Sequence, residues 1–216
     1  ELLCLNGKKV PIAHTVSPIR DADGQIIGTV LVIRDITEQR KKQKRIDYLV
    51  FHDALTGVYN RRYFDLILPK IDVEENLPLS VINCDVNGLK LTNDAFGHNA
   101  GDRLLKCIAS QMTKACRPGD IVVRSGGDEF IICLPNTKYE EAFKVADRLR
   151  SHIEKADLHY EVRTLKLTSS IGVGCCEFES DEDPNELIHK VDQYLYKAKR
   201  QRNTVYGQGP VSHSYR

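Results

Sequence analysis

Three patterns of apolar and polar positions follow one another along the chain. Residues 8–20 and 25–36 form two extended runs separated by Asp21-Ala22-Asp23-Gly24, and the second run is rich in valine and isoleucine, as strands are. A turn signal between two such runs predicts a hairpin within residues 1–36. A lone hairpin is marginal in water, so it is expected to pack on upstream sequence or on a partner chain. Residues 37–45 carry no apolar side chain, after which Ile46, Leu49 and Val50 recur at helical spacing. A helix is predicted over 37–52, with Thr37 as its N-cap. From residue 53 onward helix and strand patterns alternate. A helix is expected from Asn60 to Leu68, stopping before Pro69. The apolar run Leu79–Cys84 reads as a central strand buried on both faces. Residues 98–116 put Leu104, Leu105, Ile108, Ala109 and Met112 on one helical stripe. Ile121–Arg124 and Glu129–Leu134 are strand patterns joined through Ser125-Gly126-Gly127-Asp128, and Gly-Gly is a hairpin signal because primed turns need positive φ. A helix is expected over 138–155, a strand over 166–174, a helix from Pro184 to Arg200 and an edge strand at Thr204–Tyr206. Such alternation around a hairpin implies helices packed over a mixed sheet.

Composition narrows the function classes. The 216 residues carry 31 Lys+Arg against 30 Asp+Glu, a formal net charge of +1. A broad polyanion-binding surface needs a large positive excess, so no nucleic-acid partner is expected. At 41% hydrophobic and 28% charged the chain is not an acidic disordered tail either. The length allows one large domain, or one of ordinary size plus a fragment of another. No apolar run reaches the roughly 18 residues of a membrane span, and no signal peptide opens the chain. The start at Glu1 suggests a piece of a longer protein, expected in the cytoplasm, with membrane attachment upstream left open. Seven cysteines without CxxC spacing read as small buried hydrophobes of a reducing compartment. Residues 38–45 hold five basic side chains and one acidic. They suit a signalling helix that pairs with its twin, or a solvated linker. The six acids between Glu177 and Glu186 read as a solvated loop.

The candidate chemistry sits at strand ends. Asp85 closes the 79–84 strand, and Asp128 and Glu129 follow the glycine turn. If the strands are neighbours, three carboxylates converge at one rim. Such a group repels itself until a divalent cation sits between its members. Magnesium takes few protein carboxylates and fills its shell with water and phosphate oxygens. Glycines beside it let a bulky ligand approach the backbone.

Gly126-Gly127-Asp128-Glu129-Phe130 spells GGDEF, and four more segments stand in order around it. Asp53–Arg62 resembles DxLTGxxNRR, Asp85–Asp94 resembles DxDxFKxxND, Phe96–Asp102 resembles FGHxxGD, and Tyr196–Asn203 resembles YxAKxxGRN. Together they resemble the GGDEF diguanylate cyclases over residues 53 to about 206. The stretch down to Arg34-Asp35-Ile36-Thr37-Glu38 resembles the end of a PAS sensor domain. The resemblance implies an α+β fold: a nucleotidyl-cyclase- or palm-like mixed central sheet wrapped by helices, preceded by a PAS-like β-hairpin and a linker helix. The implied division is 1–36 for the PAS fragment, 37–52 for the linker helix, 53–208 for the cyclase domain and 209–216 for a tail.

The implied reaction joins two GTP into cyclic di-GMP and releases two pyrophosphates, with two domains of a homodimer facing each other through linker helix and PAS segment. Asp85, Glu129 and the Val86 carbonyl match metal ligands, for two magnesium ions per site with manganese as the alternative. Asp128 matches a position that shares the second metal and helps deprotonate the 3′-hydroxyl. Asn93 and Asp102 match guanine readers. Lys90, Lys199 and Arg202 match phosphate contacts, with Gly88, Leu89, Gly126 and Gly127 in the backbone cradle and the amides around Asn87–Lys90 expected to add a helix-N-terminus cradle. Arg117-Pro118-Gly119-Asp120 fits the RxxD of an inhibitory product site, which Arg148 would support.

Three positions depart from the family pattern. Asn87 replaces the second aspartate of DxD, and Gly88 replaces the usual phenylalanine. The closing segment lacks the glycine before its arginine, so either Arg202 or Arg200 meets phosphate. His98 is expected to be a structural hydrogen-bonder. Two rival functions remain: a non-catalytic receptor for GTP or cyclic di-GMP, disfavoured by the intact acids, and an ATP-using variant, disfavoured by Asp102.

Overall fold

The computed structural model describes residues 1–71, 73–160, 163–176 and 184–207. The acidic stretch through residue 183 and the tail 209–216 lie outside them. The chain divides into two compact units, Glu1–Val50 and Phe51–Arg216.

In the first unit β1 (Leu2–Leu3) pairs with β2 (Lys9–Val10), and β3 (Ile12–Arg20) pairs antiparallel with β4 (Ile26–Asp35). The β3–β4 turn is closed by Asp21, whose Oδ1 accepts the backbone N–H groups of Asp23 at 3.0 Å and Gln25 at 2.9 Å. Both faces of this ribbon are open: Val16, Ile26, Ile27, Val30, Leu31, Val32 and Ile33 are all exposed. Helix α1 (Thr37–Phe51) follows, with none of its residues buried. Its capping oxygen comes from Asp35 and not from Thr37. The Asp35 carboxylate accepts the Thr37 N–H at 2.7 Å, and its hydrogen bonds from Thr37 hold its pKa below the usual carboxylate value.

The second unit is built on a six-stranded mixed sheet. Its members are β5 (Tyr59–Asn60), β6 (Leu79–Val86), β7 (Ile121–Gly126), β8 (Glu129–Leu134), β11 (Ser169–Cys176) and β12 (Val205–Gly207), in the order β12-β11-β6-β8-β7-β5. The helices are α2 (Arg61–Ile71), α3 (Leu89–Phe96), α4 (His98–Ala115), α5 (Tyr139–Lys155) and α6 (Pro184–Gln201), with a separate hairpin of β9 (Asp157–Tyr160) and β10 (Arg163–Lys166). Every residue of β6 is buried, as an apolar run covered on both faces requires. Side chains alternate along it. Ile82, Cys84 and Val86 join Phe130, Ile132 and Leu134 of β8 against α4 and α5, and the predicted α4 stripe lies in this cluster. Leu79 and Val81 join Ile131 and Cys133 on the opposite face, against Phe64 and Leu68 of α2 and Leu187 and Val191 of α6. A Cβ on Gly172 would collide with the backbone of Val191 and Leu195, so glycine there lets α6 lie directly on β11. Cys84 and Cys133 are fully buried, and burial pushes both thiols up to about 12. The six cysteines with described side chains are free thiols.

Several boundaries differ from the expectation. Helix α2 runs through Pro69 to Ile71, because a proline this close to the C-terminus forfeits one hydrogen bond while Leu68 and Ile71 gain burial. The strand expected over 166–174 is two strands. Between them Leu167 turns into the core and the Thr168 carbonyl accepts the Asn87 N–H at 3.0 Å. Helix α3 follows the helix N-terminus expected around Asn87–Lys90, whereas the β9–β10 hairpin was not foreseen. Among the described residues no helix is long and apolar enough to cross a membrane.

Candidate active site

Alternation along β6 decides where its acid points. Residues 82, 84 and 86 face α4 and α5, so Asn83 and Asp85 face α6. On β8 Glu129 shares the parity of Ile131 and Cys133 and faces the same way, directly opposite Asp85 in the antiparallel register. Two like charges across a strand pair repel. Helix α6 supplies the counter-charge. Asp192 Oδ1 accepts from Asn83 Nδ2 at 2.6 Å, and two turns further on Lys199 Nζ lies 2.7 Å from Asp85 Oδ2 and 3.5 Å from Glu129 Oε1.

One ammonium does not neutralise this rim. The Asp85 side chain is only 12% exposed. Burial raises its pKa, the Lys199 ammonium opposes that, and the charges of Asp128 and Glu129 push it up again, leaving it above the usual carboxylate value. Burial works to lower the pKa of Lys199, but the hydrogen bonds and charges of Asp85 and Glu129 outweigh it and hold the ammonium above its ordinary value. Among the described residues Lys199 is the cation in ion-pair contact with both opposed acids. Asn87, standing where the family pattern has another aspartate, accepts from Ser170 Oγ at 3.2 Å and adds no further repulsion.

Beside the rim a cavity of ≈ 420 Å³ is walled by Asp85–Leu91, Asp128, Lys166, Thr168 and Arg202. Gly88, at φ +81°, turns the chain from β6 into α3, a conformation that glycine adopts without penalty. The expected amide cradle is shorter than Asn87–Lys90, because the Asn87 N–H is already given to Thr168. It begins at Gly88 and continues through Leu89 and Lys90. Nothing lies within 4 Å of a Cβ built on Gly126 or Gly127, so the glycine turn leaves open space that packing does not need. Arg202 follows the end of α6 at φ +52°, and Asn203 at φ +44°. For arginine that left-handed backbone costs roughly 1–2 kcal/mol, whereas asparagine adopts it more readily. That backbone stands where the family glycine is missing, and Arg202 lines the cavity. Arg200 instead lines a groove on the outside of α6 with His189 and Tyr196.

Asn93 is on α3 and Asp102 on α4. A Cβ on Gly101 would collide with Asn93 Oδ1, a buried oxygen with no hydrogen-bond partner. Gly101 therefore lets the Asn93 amide lie flat against α4. His98 is exposed at the first position of α4 and makes no side-chain hydrogen bond among the described residues.

Two features were not read from the sequence. Arg124 donates from Nη1 to both carboxylate oxygens of Asp53, at 3.1 and 3.3 Å, and from Nη2 to the Gly127 carbonyl at 2.7 Å. It braces the glycine turn against the start of the unit. Burial works to raise the Asp53 pKa, but the Thr56 hydrogen bonds and Arg124 hold it below the usual value. The signal was present as Asp53 in one motif and an arginine two residues before another. Lys166 and Thr168 were read only as part of a strand, yet both line the cavity.

The Arg117–Asp120 turn is closed on itself. Asp120 accepts the Arg117 N–H at 2.8 Å and its Nε at 3.3 Å, while Arg117 Nη2 donates to the Pro135 carbonyl at 2.7 Å and Thr137 Oγ1 at 2.8 Å. Arg148, on α5, donates to the Ala115 carbonyl at 3.0 Å.

Among the described residues no three His, Cys, Asp or Glu side chains form a ready cage for an ion. A magnesium ion takes one or two carboxylates and completes its shell with phosphate oxygens and water. Asp85, poorly neutralised and facing Glu129, meets that requirement.

Over residues 50–204 the chain matches the family described as diguanylate cyclase, GGDEF domain, and over residues 1–41 it matches the PAS fold. It is 33% identical over 223 residues to the probable diguanylate cyclase DgcE of Escherichia coli, covering all of this chain and 20% of that protein. It is 35% identical over 205 residues to E. coli diguanylate cyclase DosC, covering 93% of this chain and 42% of that one. The chain thus spans less than half the length of these relatives. The coiled coil and GGDEF domain of DgcB from Caulobacter crescentus, solved with c-di-GMP, superposes with a TM-score of 0.74 over 80% of this chain and 93% of that one, at 22% identity, and shares the fold. The chain belongs to the GGDEF family of diguanylate cyclase domains, preceded by a PAS-fold segment.

Proposed function

We propose that this domain condenses two GTP into cyclic di-GMP and two pyrophosphates at the face-to-face interface of a homodimer. The observation that carries this reading is the Asp85–Glu129 pair, opposed in register on the face that α6 covers and short of positive charge. Asp85, Glu129, Asp128 and the Val86 carbonyl would hold two magnesium ions, or manganese in their place. When bound, such ions lower the pKa of the 3′-hydroxyl and offset charge on the leaving pyrophosphate. The chain's own groups bind and orient. Lys90, Arg202 and the amides from Gly88 to Lys90 receive the triphosphate, and the open glycine turn gives it room. Lys199 exchanges Asp85 for phosphate once the rim is neutralised. Asp128, on the wall of the same cavity, accepts the proton of the attacking hydroxyl. Asp102 accepts from the guanine N1–H and N2–H₂ and the Asn93 amide completes the base contact. Adenine lacks that donor pair, and leaving the carboxylate unmet would cost about 1–3 kcal/mol.

The Arg117 turn is the proposed inhibitory product site. Product binding there draws the Arg117 guanidinium, 57% exposed, away from Pro135 and Thr137. Incubating nucleotide-stripped protein with GTP and magnesium tests the main reading: cyclic di-GMP is the expected product. Its absence from protein that is dimeric by light scattering refutes catalysis, and GTP binding without turnover would make the domain a receptor.

A further inference from the structure

We infer that Lys166 is a further phosphate-binding residue of this cavity, one that holds the triphosphate of the incoming nucleotide. The inference rests on the nucleotide reading above. Lys166 closes β10, and its ammonium donates to Asp157 Oδ1 at 2.5 Å from the opposite position of the β9–β10 register. With the two side chains 72% and 42% exposed, such a cross-strand pair by itself adds little stability. Its position gives it another use. Leu167 is buried, whereas Lys166 is exposed and Thr168 half-buried beside it. Both line the cavity that Asp85, Asp128, Lys90 and Arg202 share. The Thr168 carbonyl takes the Asn87 N–H at 3.0 Å and fixes this segment to the loop that follows Asp85. Lys166 therefore brings a third cation to the wall from an element that the GGDEF motifs do not touch.

A triphosphate carries several negative charges and accepts from more than one ammonium. Lys166 already has an oxygen partner, so nucleotide binding exchanges the Asp157 carboxylate for a phosphate oxygen. Two opposite effects follow. Removing the ammonium weakens triphosphate binding, and removing the competing carboxylate strengthens it.

The test measures binding, so it does not depend on turnover or on dimerisation. Wild type and variants are titrated with a non-hydrolysable GTP analogue and magnesium by calorimetry, with guanosine monophosphate measured by competition. Lys166→Ala is expected to weaken the triphosphate about three- to tenfold, with the monophosphate changed by less than about twofold. Asp157→Asn is expected to tighten the triphosphate, and raising the salt to shrink both differences. Unchanged triphosphate affinity in Lys166→Ala overturns the inference, as does an equal loss for the two ligands, which marks a general distortion. A wild type that binds no triphosphate removes the nucleotide reading itself, whereas a wild type that binds normally beside an unaffected Lys166→Ala removes only Lys166.

Discussion

The rim at Asp85 and the turn at Arg117 both set a basic side chain beside an aspartate, and they differ in what is left over. At the turn the charges are matched. Asp120, 5% exposed, takes the Arg117 backbone N–H and Nε, and Arg117 Nη2 meets Pro135 and Thr137. At the rim one ammonium faces Asp85 and Glu129, with Asp128 adding its repulsion. The first arrangement is complete without a ligand. The second lacks a cation. A short motif can specify either, and the surplus charge shows which one needs something more.

The comparison is broken most sharply at Glu129. Glu129→Gln keeps the side-chain shape and removes one of two opposed charges. Cyclic di-GMP formation should fall by at least about a hundredfold, the scale on which a lost transition-state charge contact acts. The melting temperature should hold or rise, since a like-charge pair is relieved. A large drop in melting temperature would make Glu129 a structural residue.

Lys199→Met tests whether the ammonium stands where a cation belongs. Without nucleotide, Mn²⁺ binding followed by electron paramagnetic resonance should tighten, because the competing charge is gone. The KM for GTP should rise about tenfold with the loss of a charged phosphate contact. Unchanged Mn²⁺ affinity would mean that Lys199 and the ion do not compete.

At the matched site, Arg117→Ala should cost about 1–2 kcal/mol in stability from the lost hydrogen bonds and relieve inhibition by added cyclic di-GMP. Inhibition that persists unchanged would leave the turn with a purely structural role. The smallest effect is expected at the brace. Asp53→Asn should destabilise by about 1 kcal/mol at neutral pH. Because the folded state lowers the Asp53 pKa, its stabilisation is present above the unfolded carboxylate value and is lost as the pH falls through the folded one. Chemical denaturation of wild type and variant should therefore converge in acid.

Much of this was legible in order along the chain. The apolar run at β6 and the stripe on α4 announced the core, and the acids at the strand ends announced the rim, because period and composition are local properties. The opposition of Asp85 and Glu129 was legible only as a condition, since register depends on how β6 and β8 meet. Pro69 misled because a helix breaker near a terminus is overruled by burial of Leu68 and Ile71. The α3 helix spans only eight residues between two glycines, too short for its period to stand out, so its N-terminus was expected but its extent was not. The Arg124–Asp53 brace joins residues 71 positions apart, and no local pattern carries such a contact. Arg202 and Arg200 could not be separated by counting. The left-handed backbone at Arg202 and Asn203 puts the first on the cavity wall. The RxxD motif was plain, but its closure on Pro135 and Thr137 depends on a loop more than a dozen residues away.

The central claim is that the undercharged rim turns GTP into cyclic di-GMP. Its most direct test counts pyrophosphate and cyclic di-GMP together, in wild type and Glu129→Gln, with magnesium and nucleotide-stripped dimeric protein. The account predicts two pyrophosphates per cyclic di-GMP from the wild type and next to none of either from the variant. Equal turnover by both proteins, or no cyclic di-GMP from the wild type, would contradict it.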